Sequence, residues 1–283
     1  MKQLIISADD FGLSESVNEG IERACRDGLL TTTSLMVAGE AAADAVRRAR
    51  ALPQLRVGLH LVVIEGPAVL PPAAIPDLVG ADGQFPSDQL RLGIDYYFRP
   101  RVRRQLAAEI RAQFEAFRAT GLRLDHANAH KHMHLHPTVG RLMIEIGREY
   151  GLTALRVPHE PVSVMCWCGE RQGFGARTLA LWTQVLRRQA MRAGMQVNDH
   201  VFGLAWTGHM TAERLHRLAG ALPEGLSELY FHPAASRDGL LRRLMPEYEH
   251  EAELAALLDP TLRAALARAG AVSVGWGEVK RQD

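Results

Sequence analysis

Leu4-Ile5-Ile6-Ser7-Ala8, Thr31-Thr32-Thr33-Ser34-Leu35-Met36-Val37 and Leu55-Arg56-Val57-Gly58-Leu59-His60-Leu61 decide the fold. Each run is short, aliphatic or β-branched, and suited to a strand buried on both faces. The stretches between them read as helices. Ser14 stands where an N-cap belongs, ahead of Val17, Ile21 and Ala24 at helical spacing, with Gly28 placed to end the run. An alanine-rich helix from Glu40 to Leu52 follows. Parallel neighbours need crossover connections and helices fill them, so this β-α-β-α-β order predicts a parallel sheet.

The alternation continues. Helices are expected over 99–120, 138–150, 176–193, 212–222, 249–258 and 261–269, with strands at 122–125, 154–157, 201–202, 228–231 and 271–274. About seven parallel strands without a linker predict a single-domain, distorted (β/α) TIM-like barrel over 1–283. An open doubly wound sheet is the alternative, but no glycine-rich fingerprint follows the first strand. Pro67, Pro71, Pro72, Pro76 and Pro86 break the rhythm, predicting a lid or excursion over 64–98.

Composition narrows the function. Thirty-three Lys and Arg against 32 Asp and Glu provide no field for a polyanion, so nucleic acid is excluded as the default partner. Cys25, Cys166 and Cys168 cannot staple a chain of 283 residues, and a reducing, cytoplasmic setting is expected. Cys166-Trp167-Cys168 reads as loop packing. Nothing approaches a membrane-spanning run or a signal peptide.

The chemistry-bearing residues recur at predicted strand ends, where barrels assemble their sites. Asp9 and Asp10 are adjacent acids that strand geometry would point to opposite sides, one to bind a cation and one to act as base. The competing reading makes one a helix cap. His60 among apolar neighbours is weak evidence alone. Asp125 to Pro137 packs five of the twelve histidines into eleven residues. His130, His132, His134 and His136 share parity and in extended form would line one face, one ligating and the others lining a pocket. One carboxylate and two imidazoles suit Zn²⁺ or another divalent ion. His232, ending a late strand, is placed to act as general acid, and Arg156 to hold a carboxylate ionised; an ordinary turn and a surface ion pair compete with these readings.

Ser7-Ala8-Asp9-Asp10-Phe11-Gly12, Gly58-Leu59-His60-Leu61, Asn128-Ala129-His130-Lys131-His132-Met133-His134 and Phe231-His232-Pro233, in that order, resemble the YdjC-like carbohydrate deacetylases over nearly the whole chain. The histidine-rich third motif and the 253–259 tail resemble most the hopanoid-biosynthesis deacetylase branch of that family. The resemblance implies a metal-dependent N-deacetylase with one divalent ion, Zn²⁺ or Mg²⁺, on Asp10, His60 and His130. It further implies Asp9 as base, His232 as acid, Arg156 beside them, and an N-acetylglucosaminyl hopanoid as substrate. His132 and His134 are expected to contact substrate or support the ligands; no role is assigned to His126 or His136.

Deacetylation of chitobiose-type oligosaccharides, a metal-dependent phosphoesterase and a non-enzymatic carbohydrate-binding protein are the alternatives. A lipid-linked glycan would bring peripheral contact with the inner membrane. Residues 92–104 join aromatic groups to arginines, and Leu179, Trp182, Val185 and Leu186 precede Arg187, Arg188 and Arg192. Core-facing helices with solvated basic ends are the other reading of both. A homo-oligomer stays open.

Overall fold

The computed structural model describes residues 1–170 and 174–279. Its strands are β1 (Lys2–Phe11), β2 (Thr32–Leu35), β3 (Arg56–Leu61), β4 (Ala127–Ala129), β5 (Ala154–Leu155), β6 (Gln196–Val197), β7 (His200–Phe202), β8 (Gly225–Phe231) and β9 (Ala271–Ser273). Between them run α1 (Glu15–Asp27), α2 (Ala42–Ala51), α3 (Gln89–Phe98), α4 (Pro100–Ala119), α5 (Pro137–Glu149), α6 (Val162–Trp167), α7 (Phe174–Arg192) and α8 (Ala212–Ala221). After β8 come α9 (Gly239–Leu244), α10 (His250–Leu258) and α11 (Pro260–Arg268).

Eight strands pair, all parallel, in the order β6-β5-β4-β3-β2-β1-β8-β7. The edges of that path, β6 and β7, are separated in the chain by Asn198 and Asp199 alone, a reach of at most about 11 Å. A sheet whose outer strands lie so close must curl. Val201 N donates to His159 O across the gap at 2.8 Å. The expected distorted barrel is present, with eight strands in its wall rather than about seven. β9 adds to β1 at Lys2–Leu4, below the point where β2 joins at Ser7.

The two-residue period of β1 sorts its side chains. Leu4, Ile6 and Ala8 face the helical layer and its large apolar core. Ile5 faces inward, packing with Ala154, Leu226 and Trp276 as an apolar plug. Above it, Ser7, Glu228 and Arg156 make a polar layer, and Asp9 ends the inward row. Gly58 owes its place in β3 to close approach, since a Cβ there would meet the His126 ring at 2.4 Å. That ring stacks on Trp276, so His126 belongs to the packing beneath the site.

One expected strand lies elsewhere, and one observed strand was not expected. The fourth strand lies at Ala127–Ala129, not 122–125; Leu122 and Leu124 are apolar because they pack against the core from a coil. β6, two residues long, has no apolar run to announce it. Within the expected excursion, residues 62–88 contain only the isolated bridge Pro67–Gln84. Buried Glu109 and Gln113 of α4 tie it down, accepting from the amides of Val69, Leu70 and Val62.

Candidate active site

The two acids of β1 do not diverge as a regular strand would make them. Ala8 pairs with Thr33 and Phe11 with Leu35, so three steps of β1 oppose two of β2. Asp10 takes the slack at φ 64°. Such a bulge re-aims side chains, and both carboxylates enter one cavity.

Asp10 meets two imidazoles there. Its Oδ1 lies 3.2 Å from His60 Nε2 and 3.3 Å from His130 Nδ1, and the two nitrogens are 3.3 Å apart. The Asp10 carboxylate is buried and neither oxygen has a hydrogen-bond partner, a costly state for an anion unless a cation compensates it. A tetrahedral ion with bonds of about 2.0–2.1 Å needs ligand edges of ~3.3–3.4 Å. The triangle therefore fits a divalent ion in both charge and size. It is the one such group of His, Cys, Asp and Glu among the described residues. Without an ion, burial opposes ionisation of Asp10, but His130 and His60 outweigh it and hold the carboxyl well below its usual range. Burial likewise pushes His60 down, and Asp10 and Asp9 raise it above an ordinary imidazole.

A chain of hydrogen bonds sets the tautomer of His60. Arg156, fully buried after β5, donates to both oxygens of Asp9, at 2.5 and 2.9 Å. Asn128 Nδ2 and Ser34 Oγ donate to Asp9 Oδ1 at 3.0 and 2.9 Å. With its amide so fixed, Asn128 Oδ1 accepts from His60 Nδ1 at 2.8 Å. The His60 proton is thereby placed on Nδ1, leaving the Nε2 lone pair toward Asp10. Burial opposes the Asp9 charge, but Arg156 and His60 hold its pKa far below normal. Arg156 also donates to Glu228 at 2.7 Å and lies over the Tyr230 ring, so its guanidinium bridges two buried carboxyl groups.

The histidine tract is not extended. His130 to Leu135 forms a tight 3-10 segment, with Lys131 and His132 in the left-handed region. The rings fan out accordingly. His130 joins the triangle, His132 Nε2 meets Tyr230 OH at 3.2 Å, His134 Nε2 donates to Arg156 O at 3.0 Å, and His136 packs on Tyr96 and Tyr97. Burial lowers His132 and His134, the latter to about 3, so both are neutral.

His232 closes the site from β8. Burial lowers it to about 4, so it rests neutral. Its peptide is clamped from one face of α10: Glu253 accepts from His232 N at 2.5 Å, and His250 Nδ1 donates to His232 O at 2.7 Å. Glu253 also accepts from Met210 N at 3.0 Å. Ser34, Glu228, Tyr230, His250 and Glu253 were not singled out from the sequence. Tyr230 stands two residues before His232 within the strand expected at 228–231, a signal available to parity.

The cavity, about 1030 Å³, is lined by Asp9, Asp10, His60, His130, Tyr230 and His232, with Glu65, Lys131 and Gln84 from the tract and excursion. Leu240, Leu244 and Met245 add an apolar stretch.

Fold and site thus define a (β/α)-barrel protein with a buried Asp-His-His cluster, of a geometry that fits a cation, at the carboxyl ends of its strands. The chain belongs to the YdjC-like protein family, whose model matches residues 3–268. A carbohydrate deacetylase of Geobacillus stearothermophilus is 30% identical over 97% of this chain and 96% of its own. One from Brevibacillus brevis is 38% identical, but that match spans 52% of this chain and 56% of the relative. A crystal structure from Enterococcus faecalis, named for cellobiose-phosphate cleavage, superposes with a TM-score of 0.77 at 23% identity, covering 98% of each chain. That likeness is one of fold.

Proposed function

We propose that the chain is a metal-dependent carbohydrate N-deacetylase. The Asp10-His60-His130 triangle beside the arginine-clamped Asp9 carries this reading, and the full-length deacetylase relative supports it. Bound there, a divalent ion, Zn²⁺ or Mg²⁺, supplies a Lewis acid that polarises the amide carbonyl and acidifies water. Asp10 Oδ1, His60 Nε2 and His130 Nδ1 hold it.

The chain's own groups do the rest. Asp9 Oδ1 already accepts three donors, whereas Oδ2 accepts one; Oδ2 is the atom left to take the proton of the attacking water. Arg156 keeps that carboxylate ionised and aimed. His232 takes up a proton from solvent in the cavity and hands it to the departing sugar nitrogen, which leaves poorly unprotonated, while Asp9 releases to solvent the proton it took from the attacking water. His132 lines the site as a neutral donor or acceptor, His134 supports it from behind through Arg156 O, and residues 65–67 and 84–87 of the 64–98 excursion serve as its lid.

The finer reading is an N-acetylglucosaminyl hopanoid. The cavity exceeds what one sugar fills, and Leu240, Leu244 and Met245 offer an apolar stretch for an aglycone. Three free cysteines favour a reducing compartment. Acetate release from N-acetylglucosaminyl hopanoid, set against diacetylchitobiose and an Asp9→Asn control, tests the whole. Turnover of the soluble sugar alone removes the lipid, an active control removes Asp9 as base, and two ions per active chain turn the reading to a phosphoesterase.

A further inference from the structure

One surface beside the cavity gathers exposed apolar side chains from two helices. Helix α3 turns Leu92 and Tyr96 into the core, yet Leu90, Ile94, Tyr97 and Phe98 on its other side are 76%, 51%, 50% and 71% exposed. Spacings of four, three and one place them on one helical face. Helix α7 repeats the pattern: Leu186 is buried, while Leu181, Trp182 and Val185 are exposed; Leu179 lies outside the described side chains. Both helices pack on the first turn of α5. Gly93 of α3 lies against His136, and Leu186 of α7 against Gly140, whose amide bonds to His136 O. The two helices thus flank a single helix end, each with an exposed apolar face. The cavity opens beside them, since Ser87 and Gln89, at the start of α3, line it.

Charge distinguishes the occupant. Residues 88–104 hold five arginines against two aspartates, and α7 holds four arginines and no acid, in a chain whose net charge is +1. The rest of the molecule is therefore net acidic. Asp95 pairs with Arg99 and Asp77 with Arg101, which leaves the surface positive. A second copy docking here face to face would set like charge on like charge. An anionic lipid surface would meet both demands, taking the aliphatic and aromatic side chains into its interface and the arginines at its headgroups.

We propose that α3 and the exposed face of α7 form a docking surface for an anionic bilayer, with the cavity mouth at the membrane. The proposal stands on the surface alone and holds whether or not the substrate is a lipid. Its test is co-sedimentation of the full chain with vesicles of phosphatidylcholine alone or with 30% phosphatidylglycerol. Binding is expected only to the anionic vesicles, to weaken at least ten-fold between 0.05 and 0.5 M NaCl, and to fall at least ten-fold in the triple variant Leu90→Ser, Ile94→Ser, Phe98→Ser. These residues are exposed, so the variant should keep its circular dichroism and its turnover of a soluble N-acetyl sugar. No binding to anionic vesicles, equal binding by the variant, or a dimer that the triple variant abolishes would each overturn the proposal. Anionic-vesicle binding by an unmutated chain that releases no acetate from a soluble N-acetyl sugar would instead strike the catalytic reading and leave this proposal standing.

Discussion

Replacing Asn128 by alanine isolates the link between the two halves of the site. Its amide holds Asp9 Oδ1 with one end and His60 Nδ1 with the other, at 3.0 and 2.8 Å, and is fully buried. Truncation orphans neither partner: Arg156 and Ser34 still serve Asp9, and Ser34 Oγ remains 3.1 Å from His60 Nδ1. The loss is therefore two ordinary hydrogen bonds, each worth about 0.5–1.5 kcal/mol net. Outer-shell partners of metal-bound histidines contribute about 10–100-fold in affinity, or ~1.4–2.7 kcal/mol, and the two ranges agree. Titration calorimetry with Zn²⁺ should show affinity weakened by that factor, with the ion still bound by Asp10, His60 and His130. Asn128→Asp sharpens the test, because a carboxylate can accept from His60 but faces Asp9 with like charge; it should lose more stability than Asn128→Ala. Wild-type Zn²⁺ affinity in Asn128→Ala would refute the claim that this amide sets the His60 tautomer.

Metal binding should release a proton. In the ion-free protein His60 is raised and Asp10 lowered, so the ion must displace the His60 proton. Affinity should rise with pH until the raised His60 pKa is passed, which calorimetry in buffers of different ionisation heat would reveal as proton release. The same shifts fix the sign for stability. The His60 contribution is full below its unfolded value of about 6.5 and is lost as pH rises through the folded value; that of Asp10 is lost as pH falls through its lowered one. The ion-free protein should thus weaken on the alkaline side, where added metal restores most. Arg156→Met strands Asp9 and Glu228 as buried charges and should cost about 3–5 kcal/mol in urea unfolding; a loss under ~1 kcal/mol would mean that the pair is not buried in solution. Glu253→Ala frees the His232 and Met210 amides and should lower kcat about 10–100-fold with little change in KM or metal content, whereas unchanged kcat would remove the α10 clamp from catalysis.

Much of this was legible in the chain. The three early strands announce themselves because a strand buried on both faces favours aliphatic and β-branched side chains, and the acids and histidines that follow them stand out against that background. Asp9, Asp10, His60, His130, Arg156 and His232 converge because each ends or follows a strand of one wall. Glu228 was invisible for the same physical reason. In a wall strand, alternate residues face the barrel axis, and nothing in Ser227-Glu228-Leu229 says whether the inward neighbour is water or a guanidinium. Glu253 and His250 act through side chains on another residue's peptide, a contact with no periodicity to betray it. The surface of α3 was ambiguous because a helix with apolar residues on both faces gives no clear direction for burial, and packing on α5 decides it.

Backbone strain accounts for what pattern-reading could not supply. The non-glycine residues with left-handed φ among those described are Asp10, Glu65, Lys131 and His132, and all four line the cavity. Each conformation costs about 1–3 kcal/mol and persists where its surroundings over-determine it. At Asp10 the bulge turns consecutive acids into the same space, which a regular strand forbids. At Lys131 and His132 the kink brings His130 to the triangle and swings His132 and His134 toward Tyr230 and Arg156, where an extended tract would have spread the rings along about 3.3 Å per residue. Glu65 pairs with Lys131, tying the excursion to that kink. The acids and histidines can be read from sequence because they are residue types, whereas their convergence depends on φ angles that each of these residues resists. Relieving the strain at Lys131 with glycine should therefore leave the protein about as stable, yet loosen His130 and weaken metal binding; tighter binding in Lys131→Gly would show that the kink opposes the site instead of building it.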